Sequence, residues 1–178
     1  MHVKGKKIAM AGLLVALTVV MLVLSSVIET NSLFLIAAAS FCVGIAVREW
    51  GNGFGAAFLL ASVMINLFVA PNKFYCITFA GMGIYLCASE FLWDKIATAS
   101  HLRHRNAALW LGKYLIFNLM YVPVLFLAPQ FIFTGKMNGL AAAMLLVVGQ
   151  AVLFVYDQAH RYFQVYIWGK IRKKLIGD

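Results

Sequence analysis

Six apolar stretches, most of them close to the length needed to cross a bilayer, dominate this chain: residues 8–28, 33–47, 54–70, 74–93, 109–133 and 139–157. A helix rising about 1.5 Å per residue needs roughly 20 apolar residues to traverse about 30 Å of hydrocarbon. Six such runs leave little of the 178 residues for anything else. The expected fold is therefore all-α: one bundle of six transmembrane helices occupying 1–178, with no separate soluble domain. Composition agrees, because 63% hydrophobic and 12% charged residues with a mean hydropathy of +0.89 would not stay dissolved in water. Tilt and packing can absorb the short second run and the long fifth. Lys4, Lys6 and Lys7 before the first run imitate a signal peptide. That run is longer than a signal core and no small-residue cleavage site follows it, so it is read as the first span.

The connections alternate in charge, and this sets the expected orientation. Glu29–Ser32, Pro71–Lys73 and Thr134–Met137 form one face, with Lys73 and Lys136 as its only cations. The other 13 of the 15 Lys and Arg residues, among them Lys4, Arg48, Lys95, Arg103, Arg105, Lys113 and Arg161, fall on the opposite face. Positive loops stay inside, so both termini are expected in the cytoplasm. The net charge of +9 is thereby explained without nucleic acid, whose sites gather basic residues on one folded, water-facing surface. The loop around His101, Arg103, His104 and Arg105 reads as an inside-positive segment that also meets anionic headgroups. Residues 158–174 mix Tyr162, Phe163, Tyr166 and Trp168 with basic residues, as in a helix lying in the interface.

Catalytic chemistry has few footholds. No His-Glu-x-x-His, phosphate-binding glycine loop or paired acid-rich motif occurs, and Gly51, Gly53 and Gly55 follow no strand and read as a tight inner turn. Cys42, Cys76 and Cys87 have no paired spacing and read as packing residues. No enzyme, metal or cofactor is expected. The acids Glu29, Glu49, Glu90, Asp94, Asp157 and Asp178 sit in loops, near helix ends or at the terminus, which disfavours an ion-coupled carrier. Glu90 and Asp94 share a helical face and are expected to pair with inner-face bases, and Asp157 with Arg161 one turn on.

Uncharged polar groups inside the spans are the candidate site. Asn66, Tyr85, Asn118, Tyr121 and Gln150 must each find a partner, in another helix or in a ligand. With Asn31, Asn72, Lys73, Tyr75 and Gln130 at its mouth, they outline a pocket opening outward. Pro123 and Pro129 interrupt the outer half of the fifth helix and either shape a cavity or accommodate packing. Gly12-x-x-x-Ala16 gives the first helix a small-residue face for a helix of the bundle or for a partner protein.

The basic start leading into Lys7-Ile8-Ala9-Met10-Ala11-Gly12-Leu13-Leu14-Val15-Ala16-Leu17, the turn Arg48-Glu49-Trp50-Gly51-Asn52-Gly53-Phe54-Gly55 and the segment Phe79-Ala80-Gly81-Met82-Gly83 resemble the substrate-binding (S) component of energy-coupling factor transporters. The resemblance covers most of the chain at the level of pattern. It implies a receptor in the bacterial plasma membrane that binds a vitamin-like micronutrient near its outer face. It further implies a transmembrane coupling protein docked on Gly12 and Ala16, at positions where the family carries alanines, and two cytoplasmic ABC ATPases that energise toppling of the receptor. The alternative is a non-transporting polytopic scaffold of a cell-envelope or cell-shape complex, whose members also resemble this layout.

Overall fold

The computed structural model describes residues 2–98, 104–127 and 139–175. Its helices are α1 (His2–Val27), α2 (Ser32–Trp50), α3 (Asn52–Val69), α4 (Lys73–Thr98), α5 (Arg105–Leu127) and α6 (Gly139–Tyr162), with a 3-10 turn at Glu29–Asn31. A π-helical segment, Phe163–Trp168, carries α6 onward into α7 (Gly169–Leu175). Six helical stretches are long and apolar enough to cross a membrane, and the described residues contain no strand. Large apolar side chains such as Leu60, Phe68, Leu115 and Val147 point outward along them. The chain is an all-α multi-pass membrane protein.

Two compact units divide the chain, Met1–Phe91 and Leu92–Asp178, with the boundary inside α4. In the first unit α1, α2 and α3 pack against one another, and α2 is its centre, because every residue from Ala39 to Val47 is buried. In lipid, helices gain by van der Waals contact, and small residues allow that contact to be close. A Cβ on Gly55 would lie 2.9 Å from the Val47 Cα, and one on Gly83 of α4 would collide with the Leu59 side chain of α3. The expected glycine turn is one residue long. Gly51 takes φ 87°, a left-handed conformation that glycine adopts without a Cβ penalty, while Gly53 and Gly55 are already helical.

In the second unit α5 pairs with α6 in antiparallel fashion, since bonded partners rise along one helix as they fall along the other. Gly149 lets the Tyr121 ring lie where a Cβ would come within 2.7 Å of Cε1. Helix α5 continues through Pro123, whose ring nitrogen has no hydrogen to donate one turn back. Pro129 lies outside the described residues.

The segment after residue 157 does not break away from the sixth helix. The apolar stretch runs from Gly139 to Arg172, 34 residues, or about 50 Å of helix against about 30 Å of hydrocarbon. His160, Gln164 and Trp168 are buried while Tyr162, Val165, Tyr166 and Ile167 are exposed. In an α-helix steps of four residues drift by about 40°. The wider π turn offsets that drift and holds the buried set on one line.

Candidate functional site

At the end of the first unit expected to face outward, the polar residues close helix termini. Asn72 Oδ1 accepts the Phe74 N–H at 3.0 Å, and Lys73 Nζ donates to the carbonyls of Leu67 and of Ala70, the latter at 3.0 Å. These bonds serve carbonyls at the end of α3 and an N–H at the start of α4 that have no partner within their own helix. The Tyr75 N–H donates to the Asn72 carbonyl at 3.3 Å, and its side chain is half-buried. Asn31 is exposed at the start of α2 and makes no side-chain cap. Tyr85 is buried within α4. Gln130 lies outside the described residues.

Deeper in this unit, Asn66 Nδ2 donates to the Ser62 carbonyl at 2.8 Å. Asn66 Oδ1 and Ser62 Oγ, one turn apart and fully buried, have no hydrogen-bond partner among the described residues. Thr18, Ser25 and Ser40 are equally buried, but each bonds a carbonyl of its own helix at 2.6–2.7 Å. Sequence reasoning found Asn66 because an amide in an apolar run is conspicuous. It missed Ser62, since nothing in a sequence tells an inward hydroxyl from an outward one.

The second unit carries a polar seam between α5 and α6. Tyr121 Oη donates to the Leu145 carbonyl at 2.9 Å. Asn118 and Gln150 exchange two amide bonds, Gln150 Nε2 to Asn118 Oδ1 at 2.8 Å and Asn118 Nδ2 to Gln150 Oε1 at 3.3 Å. Lys113 Nζ lies 2.5 Å from Asp157 Oδ1, with the lysine side chain 14% exposed and the aspartate 2%. Its ammonium also sits 5.6 Å from the Trp110 ring centroid. On the same line of α6, the side chains of His160 and Gln164 meet at 3.2 Å.

Two expectations about charge change here. Asp157 reaches across to α5, while Arg161 bonds Gln158 on the exposed side of α6. The pair also lies within both candidate spans, Arg105–Phe126 and Gly139–Arg172, so charge does occur inside the apolar stretches. The cause is tertiary: an acid close to a helix end by sequence becomes interior once the helix continues beyond it. Glu90 does find an expected inner-face base, Arg48 at 2.7 Å.

On α1, Gly12 and Ala16 are exposed, and a Cβ on Gly12 would meet nothing within 4 Å. Among the described residues of the first unit, nothing packs on this face at Gly12. Among the described residues no group of three or more His, Cys, Asp or Glu side chains is placed to hold a metal ion. Compared with known families, curated proteins and solved structures, the chain matches none.

Proposed function

We propose that this protein is a membrane-embedded receptor that captures a small, vitamin-like molecule for uptake, energised by a separate ABC ATPase module through a transmembrane coupling protein. One observation carries the reading: Asn66 Oδ1 and Ser62 Oγ are buried inside a candidate span without a hydrogen-bond partner among the described residues. A bare amide or hydroxyl in an apolar medium costs several kcal/mol, and a bound molecule offering a hydrogen-bond donor would answer it.

The uncovered face at Gly12 and Ala16 supports docking of a partner helix. The orientation, both termini in the cytoplasm of a bacterial cell, rests on the charge split. It is supported by the meeting of Lys7 with Phe54, 4.3 Å to the ring centroid, and of Arg48 with Glu90 at one end of the first unit. The chemistry of import is left to the partner, and the protein itself is read as no enzyme.

Thermal unfolding against a panel of micronutrients tests the reading. A true ligand at 100 times its dissociation constant adds about 2.7 kcal/mol of stability. That response should vanish in Asn66→Leu, while Gly12→Leu/Ala16→Leu should keep it and lose ATP-dependent uptake. A panel without any response, joined to co-purification with envelope-building proteins, would favour the scaffold instead.

A further inference from the structure

Between the last turns of α4 and the first turns of α5, within the second unit, lies a half-open cleft of about 280 Å³. Its walls are Trp93, Ile96, Ala97 and Leu109, and its polar groups are Arg105 and Asn106. Ile96 and Leu109 form a buried apolar floor, Trp93 is half-exposed, and Arg105 and Asn106 are exposed. Arg105 Nη2 donates to the Ala97 carbonyl at 2.7 Å, which ties the guanidinium across the cleft. A guanidinium has five N–H donors, so most of its bonding capacity remains after that one bond.

The antiparallel seam gives the depth of this cleft along the helices. Lys113 is level with Asp157; eight residues earlier on α5 comes Arg105, and eight later on the sixth helix comes Val165, each about 12 Å away along its axis. Around Val165 the outward surface of that helix is Tyr162, Tyr166 and Ile167, flanked by exposed Arg161 and Lys170. Aromatic rings alternating with cations mark headgroup depth. A cleft there, apolar below and cationic at its rim, fits an amphiphile whose anionic group is followed directly by hydrocarbon.

We propose that this cleft is a binding site for an anionic phospholipid, its phosphate on Arg105 and Asn106 and its glycerol and upper acyl carbons against Trp93, Ile96 and Leu109. Arginine suits phosphate because its planar fork donates two parallel hydrogen bonds. The site is independent of the transport reading and would exist in a scaffold as well.

Native mass spectrometry of the full chain tests it, using detergent micelles doped with equal amounts of phosphatidylglycerol and phosphatidylcholine of the same acyl chains. The wild type should retain one phosphatidylglycerol in clear preference. Arg105→Gln should lower that adduct roughly tenfold, the scale of one lost charge-assisted hydrogen bond. Ala97→Phe, which fills the cleft and keeps its charges, should lower it as much, whereas Lys170→Gln should leave it unchanged. Equal retention of both lipids, or a loss with Lys170→Gln as large as with Arg105→Gln, would overturn the site in favour of general surface charge. Displacement of the lipid by millimolar glycerol phosphate would show that a free phosphate ester is preferred, and would overturn the lipid assignment.

Discussion

The two units solve the same problem, polar groups in an apolar setting, in opposite ways. In the first, the buried hydroxyls of Thr18, Ser25 and Ser40 turn back onto carbonyls of their own helices, and helix contact rests on shape, as at Gly55 against Val47. In the second, Lys113, Asn118 and Tyr121 of α5 each reach across to α6. A hydroxyl bonded within its helix leaves neighbouring helices free to slide. A side-chain pair between helices fixes their register, because a shift of one residue breaks it. Apart from the Arg48–Glu90 pair between α2 and α4, the first unit is thus held by packing, the second by specific links.

The largest expected effect breaks the links. Asp157→Ala should cost about 3–5 kcal/mol by leaving the Lys113 ammonium buried and unpaired, while Lys113→Met/Asp157→Leu should cost much less or nothing. Reversible unfolding in mixed micelles would show whether the double variant recovers stability. If it does not, the pair contributes more than mutual neutralisation. Next comes shape: Gly55→Ala puts a methyl group against the Val47 backbone and should destabilise by roughly 1–3 kcal/mol, measured in the same way. A cost below that range would mean that α2 and α3 can part easily.

Smaller still, Asn118→Leu should cost about 0.6–1.7 kcal/mol, as interhelical hydrogen bonds in membranes do. The smallest effect is expected for Ser25→Ala, within about 0.5 kcal/mol, because donor and acceptor belong to one helix. Should Ser25→Ala prove as costly as Asn118→Leu, the contrast between the units would fail.

Much of this fold was legible in the chain because hydrocarbon thickness acts on length, and length is visible in a run of apolar letters. The six spans follow, as does a tight glycine turn between the second and third, although both helices run further into it than the apolar letters do and leave only Gly51 between them. What joins one helix to another was not legible. The spacing rule that pairs Asp157 with Arg161 knows only neighbours on one helix, whereas its partner Lys113 lies 44 positions away. Asn72 and Lys73 were conspicuous as polar residues in a short loop, yet their side chains are engaged by Phe74, Leu67 and Ala70 at the helix ends. A loop residue beside two helix ends has capping bonds open to it that composition does not reveal. Ser62 was invisible for a simpler reason, since a serine is compatible with either side of a helix.

The bend at Gly51 has a consequence for how this chain can change over time. Because a single residue separates two helices, there is no slack to take up an insertion or a deletion. One added amino acid beyond it would turn the whole following rod by about 100°, carrying Ser62 and Asn66 away from the centre and bringing Ala61 and Ile65 inward in their place. Length variation there should be far rarer than substitution, and a library of random indels selected for folded protein would leave that junction untouched.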